Sequence, residues 1–183
     1  MPADSTIDPA RAEALRLAVV EIERHVARGG WDAPIAVFAL VRTADALAAN
    51  PELARELPAE AVELARHNRE HVTSIEQDGL PAAQNLEDLL AQLAWPPQVD
   101  GAAVAVERIV VPSSTAQDDG EPSVEELMAH PERQDVRIAV GVLRTGESWC
   151  ALRSKNNDAD DDVAGAPDAV PGLVAALAAT LAP

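Results

Sequence analysis

The sequence predicts a single α+β domain: a mainly antiparallel sheet of about four to five strands with helices packed against it, helical at both ends. Three observations predict it. Apolar residues recur at helical spacing near both termini, valine-rich runs fill the middle, and the last two of these runs are joined by a short glycine-containing connection instead of a crossover helix.

Asp8-Pro9 is a helix start, a capping side chain followed by proline at the first helical position, and Leu15, Val19, Ile22 and Val26 repeat at spacings that share one helix face. A helix is predicted over 9–28, stopped by Gly29-Gly30. The continuously apolar run 35–41 is too short for a helix and contains β-branched residues, so it reads as a buried strand. Asn50-Pro51 and Pro58 break the helix-forming stretch 43–66 into two or three short helices. Residues 72–77 read as a strand with poor alternation. Asn85 caps a helix carrying Leu86, Leu89, Leu90 and Leu93, which Trp95-Pro96-Pro97 ends. A long strand is predicted over 99–111, a loop over 112–122, and a helical turn opened by the capping box Ser123 to Glu126. Strands over 135–144 and 147–155 form a hairpin through Thr145-Gly146. An acidic loop then leads to a C-terminal helix bearing Val170, Leu173, Val174, Leu177 and Leu181, with Asp168 near its cap. Residues 1–8 and 156–167 are expected to be flexible.

Strand alternation places Ala103, Ala105 and Glu107 on one face and Ala139, Gly141 and Arg137 on one face. Small residues there invite close approach of a helix. Glu107 and Arg137 are expected to pair across the strands.

The composition bounds the function. Hydrophobic residues make up 48% of the chain but include one Phe and no Tyr, so an aliphatic core is expected. The N-terminus lacks the basic and apolar regions of a secretory signal, and no apolar run reaches the ~20 residues that span a bilayer, so a cytoplasmic protein without an integral membrane segment is expected. Net charge is −17, with 31 acidic against 14 basic residues. Nucleic acid is excluded as a partner, since neutralising phosphates needs a basic surface. All of the excess lies in three stretches without Lys or Arg, 70–107, 118–126 and 158–168, which carry seven, five and five acids. A basic protein or peptide is the partner such a surface attracts.

Catalytic patterns are few. His67 and His71 stand four apart, which on a continuous helix would present both imidazoles on one side, making them candidate metal ligands with Glu70, Glu76 and Asp78 nearby. The intervening residues do not follow the zinc-protease pattern. Asp158 to Asp162 resembles a calcium loop in charge only, with Val163 where the turn needs glycine and Ala169 where a bidentate Glu is needed. Cys150 lies within a strand, where a small buried hydrophobe is expected; as a nucleophile it would need His71 or His130 beside it. Phosphate loops, nucleophile elbows and dinucleotide fingerprints are lacking, so no cofactor is expected. Trp31, Asp32 and Trp95 sit at element boundaries and, with Glu107 and Arg137, are the candidate binding residues.

Gly30-Trp31-Asp32-Ala33-Pro34, Leu40-Val41-Arg42-Thr43, Trp95-Pro96, Val106-Glu107-Arg108, Asp135-Val136-Arg137 and Val170-Pro171-Gly172-Leu173 resemble an uncharacterised family of small acidic actinobacterial proteins. The resemblance spans most of the chain. It implies a bacterial cytosolic origin and one intact domain, with no activity to carry over. The expectation is a non-catalytic interaction module, adaptor or chaperone-like, with acidic surfaces to attract a basic partner and exposed Trp or Leu to hold it. The alternatives are a small metal-dependent hydrolase using the His67 and His71 region, and a small-molecule sensor with Trp31 or Trp95 in its pocket.

Overall fold

The computed structural model describes residues 6–111, 129 and 131–183. Within them the chain forms helix α1 (Pro9–Ala27), strand β1 (Ala36–Arg42), helix α2 (Thr43–Ala49), a 3₁₀ turn (Pro51–Arg55), helix α3 (Ala59–His67) and strand β2 (Val72–Glu76). Helix α4 (Leu86–Ala91), strands β3 (Gly101–Val110), β4 (Gln134–Leu143) and β5 (Ser148–Ser154), a 3₁₀ turn (Asp160–Asp162), strand β6 (Ala164–Ala166) and helix α5 (Pro171–Ala179) complete it. The six strands form one sheet in the order β2-β1-β3-β4-β5-β6, every pairing antiparallel.

The sheet has one strand more than the upper expected count. The addition is β6, whose Ala-Gly-Ala lacks the β-branched and aromatic residues that mark a strand. It falls in the expected acidic loop, and it exists because β5 offers an edge to pair with. A Cβ at Gly165 would lie 2.8 Å from the Trp149 ring, so glycine lets that indole cover β6. The run 72–77 is a true strand despite its weak alternation. The predicted cap Ser123 lies outside the described residues, and α5 starts from Val170, just after Asp168, with no side-chain cap.

Helix α1 lies on one face of the sheet. Its Leu15, Val19 and Ile22 pack on Phe38, Leu40, Ala103, Ala105, Ala139 and Ala151. The small residues let the helix come close: a Cβ on Gly141 would stand 2.5 Å from Val19 Cγ2 and 3.0 Å from Leu15 Cδ1. Helices α4 and α5 cover the other face, where Leu86, Leu89, Leu90, Leu177 and Leu181 meet Val37, Val104, Ile138 and Val140. Asn85 accepts a hydrogen bond from Asp88 N at 2.8 Å and caps α4 as predicted. No helix among the described residues is long and apolar enough to cross a membrane.

Candidate functional site

Four of the five candidate binding residues meet at one end of the α1 face. Cross-strand register sets Glu107 opposite Arg137 and Arg137 opposite Arg153. Glu23 descends onto this row from α1. Arg153 donates through Nε and an Nη to Glu23 at 2.6 and 2.8 Å, and Arg137 reaches Glu107 at 2.9 Å and Glu23 at 3.9 Å. Glu23, Arg137 and Arg153 are all buried.

The loop after α1 closes over this row. The Trp31 ring stacks on the Arg137 guanidinium, 4.5 Å from its centroid, and its indole N–H donates to Asp158 Oδ2 at 3.0 Å. Asp32 takes a left-handed conformation, φ 65°, which Asp tolerates better than most residues, and its N–H donates to Glu107 Oε2 at 2.8 Å. The 3₁₀ turn arrives from the other side, where Arg153 binds Asp158 and Asp160; the Trp31 indole and then Arg153 hold the Asp158 carboxyl below its ordinary range, and Arg153 does so for Asp160. Charges so buried and mutually bonded stiffen a fold and leave little to offer a substrate. The expected pairing of Glu107 with Arg137 is present.

Trp95 lies elsewhere, at the α5 side, where its indole N–H donates to Thr180 Oγ1 at 3.0 Å. His67 and His71 do not share a helix face, because α3 ends at His67. His67 Nδ1 contacts Glu63 O at 2.9 Å, whereas His71 Nδ1 lies 2.8 Å from Thr43 Oγ1. Glu70 pairs with Arg11 and Arg42, and Glu76 with His25. Among the described residues no group of three or more metal-ligating side chains converges. Cys150 is buried, and burial pushes its thiol pKa up. His130 lies outside the described residues.

An open groove among the described residues was not among the candidates. It runs beside β2, one of the two outer strands of the sheet, has a volume of about 520 Å³ and is bounded by β2, by α3 with its approach, and by Glu21 of α1. Leu57, Ala61, Leu64 and Ile75 supply an apolar lining, and Glu21, Glu60 and Glu76 are its carboxylates; no Lys or Arg lines it. Of the five exposed large hydrophobic residues among the described residues, Leu64 and Ile75 line this groove and Leu17 lines the adjoining hollow under α1, so exposed apolar area gathers at this edge. Arg24, His25 and Arg28 line that hollow together with Glu21, Ser74 and Glu76. Burial lowers the pKa of His71, so its imidazole is neutral near pH 7 and adds no positive charge to the groove.

The backbone of β2 is half unused. Thr43 N donates to His71 O at 3.0 Å and Gln77 N to Val37 O at 2.8 Å, which fixes the ladder parity in the register of β1 with β2. The N–H and C=O groups of Thr73 and Ile75, the His71 C=O and the Gln77 N–H therefore turn to β1, while the His71 N–H donates to Asn68 O at 3.1 Å. By the alternation of an antiparallel pair, Val72, Ser74 and Glu76 turn theirs outward.

Residues 15–182 match the sequence family described as PPA1309-like protein. No curated protein and no solved structure matches the chain.

Proposed function

We propose that this chain, which belongs to the PPA1309-like protein family, works as a non-catalytic interaction module that captures a basic segment of another protein in the groove beside β2. The observation that carries this reading is the pairing of an apolar lining with three exposed carboxylates and no Lys or Arg in one groove, one of the carboxylates, Glu76, also contacting His25. An apolar strip held at the surface of a monomer marks a contact site, and carboxylates around it select for cationic partners. The net charge of −17 adds long-range attraction for such partners.

Elsewhere among the described residues several of the excess acids are occupied. Glu107 pairs with Arg137, Asp158 and Asp160 with Arg153, Asp100 with Arg42, and Glu87 with Arg108. Stretches free of bases in sequence thus acquire arginines from other parts of the fold. The holding groups in this reading are Leu64 and Ile75, since both candidate tryptophans, Trp31 and Trp95, are engaged by internal partners.

Affinity capture from native lysate at low ionic strength tests it, comparing the wild type with E21Q/E60Q/E76Q. The expected result is a specific protein that the wild type retains, that salt elutes, and that the triple variant fails to hold. Equal recovery by both proteins contradicts it.

A further inference from the structure

We infer that the captured segment binds as an added antiparallel strand on the outer edge of β2, with basic side chains alternating with apolar ones. This rests on the proposed reading of the groove and says how the groove is used. Three outward backbone units, those of Val72, Ser74 and Glu76, form an unpaired ladder about 13 Å long in a strand of five residues. Such an edge is a template for another chain unless it is covered or blunted. Here the groove beside it leaves room.

The side chains fix the pattern of the partner. Val72, Ser74 and Glu76 share the α1 face, since Val72 belongs to the core beneath α1, and Glu21 projects from α1 beside them. Thr73 and Ile75 point the opposite way. In an antiparallel pair, directly opposed residues share a face, and those opposite Val72, Ser74 and Glu76 are also the ones that exchange hydrogen bonds with them. The residues whose N–H groups reach β2 are therefore the basic ones, lying near Glu76 and Glu21. The intervening residues lie on the side of Ile75 and are apolar.

A second copy of this chain does not fit. Edge-to-edge pairing would bring two chains of net charge −17 together. The antiparallel sense follows the rest of the sheet, where every neighbouring pair is antiparallel.

The test uses the full chain and synthetic peptides of alternating arginine and valine, with a glutamate–valine peptide as the charge control. One form is N-methylated on its arginines and another on its valines. The protein variant is Ser74→Pro, whose lost N–H points away from β1, so the β1–β2 ladder is intact and an unchanged melting curve confirms the fold. The arginine–valine peptide is expected to bind at low salt and to protect the Val72, Ser74 and Glu76 amides from exchange. Arginine N-methylation and S74P each weaken binding about tenfold or more, and valine N-methylation leaves it unchanged. If the charge preference holds but S74P and both methylated forms bind alike, strand addition is wrong and the capture of basic segments stands. Equal binding of arginine and glutamate peptides removes the proposed function itself.

Discussion

Arg137 and Arg153 stand directly opposite one another on β4 and β5, two guanidinium groups side by side and both buried. Glu23 lies against both, at 2.6 Å from Arg153 and 3.9 Å from Arg137, and makes the pair tolerable. Truncation of Glu23 to alanine leaves the two cations without their shared counter-ion. Breaking a buried ion pair in this way costs about 3–5 kcal/mol, so E23A should lower the urea midpoint sharply. A change below about 1 kcal/mol would show that water reaches the row and replaces the carboxylate.

The same cluster makes the protein acid-sensitive. Asp158 is held below its ordinary range first by the Trp31 indole hydrogen bond and then by Arg153, and Asp160 by Arg153. Folded carboxyls with lowered pKa bind fewer protons than the unfolded chain does. Their contribution is complete above about pH 4, the unfolded value, and is lost as the pH falls through the lowered folded values. Thermal melts at descending pH should show this loss, and it should be smaller in D158N/D160N. Parallel pH profiles for the two proteins would refute the assignment.

Gly141 is a point of close approach between α1 and β4. An added Cβ meets Val19 Cγ2 at 2.5 Å, and both Val19 and Leu15 are fixed in the core. Overpacking of this kind costs about 1–3 kcal/mol, so G141A should lose that much stability in denaturant titration while keeping the same fold by circular dichroism.

Much of this arrangement was legible in the sequence. Alternation put Glu107 with Ala103 and Ala105, and Arg137 with Ala139 and Gly141, which is the face α1 covers. Trp31 and Asp32 were readable as boundary residues because Gly29-Gly30 ends the helix. Glu23 was missed although a signal existed: it continues the Leu15, Val19 spacing by four, so it had to lie on the buried stripe. Arg153 follows by the same logic from Ala151. The β2 groove was not legible, because its character depends on strand order. Nothing in residues 72–76 says that they form an outer strand, and Glu21, Glu60 and Glu76 come from three separate elements. The stretches 70–107 and 158–168 likewise looked unpaired only until folding brought arginines to several of their carboxylates.

Cys150 gives an independent check on the sheet interior. It is buried between β4 and β6, its Sγ 3.9 Å from Pro167 O, with a thiol pKa raised by desolvation. Alkylation by iodoacetamide at neutral pH should be slow in the folded protein and rapid in denaturant. Rapid labelling under native conditions would mean that β5 and β6 separate easily.

The central claim concerns the edge of β2, and a map of backbone amide shifts by nuclear magnetic resonance tests it most directly, with the arginine–valine peptide added at low ionic strength. The largest changes are predicted along β2 from His71 to Gln77 and on the facing residues from Leu57 to Leu64. Changes centred instead on Trp31 or Trp95, or scattered over the acidic surface without a focus at β2, would contradict the account.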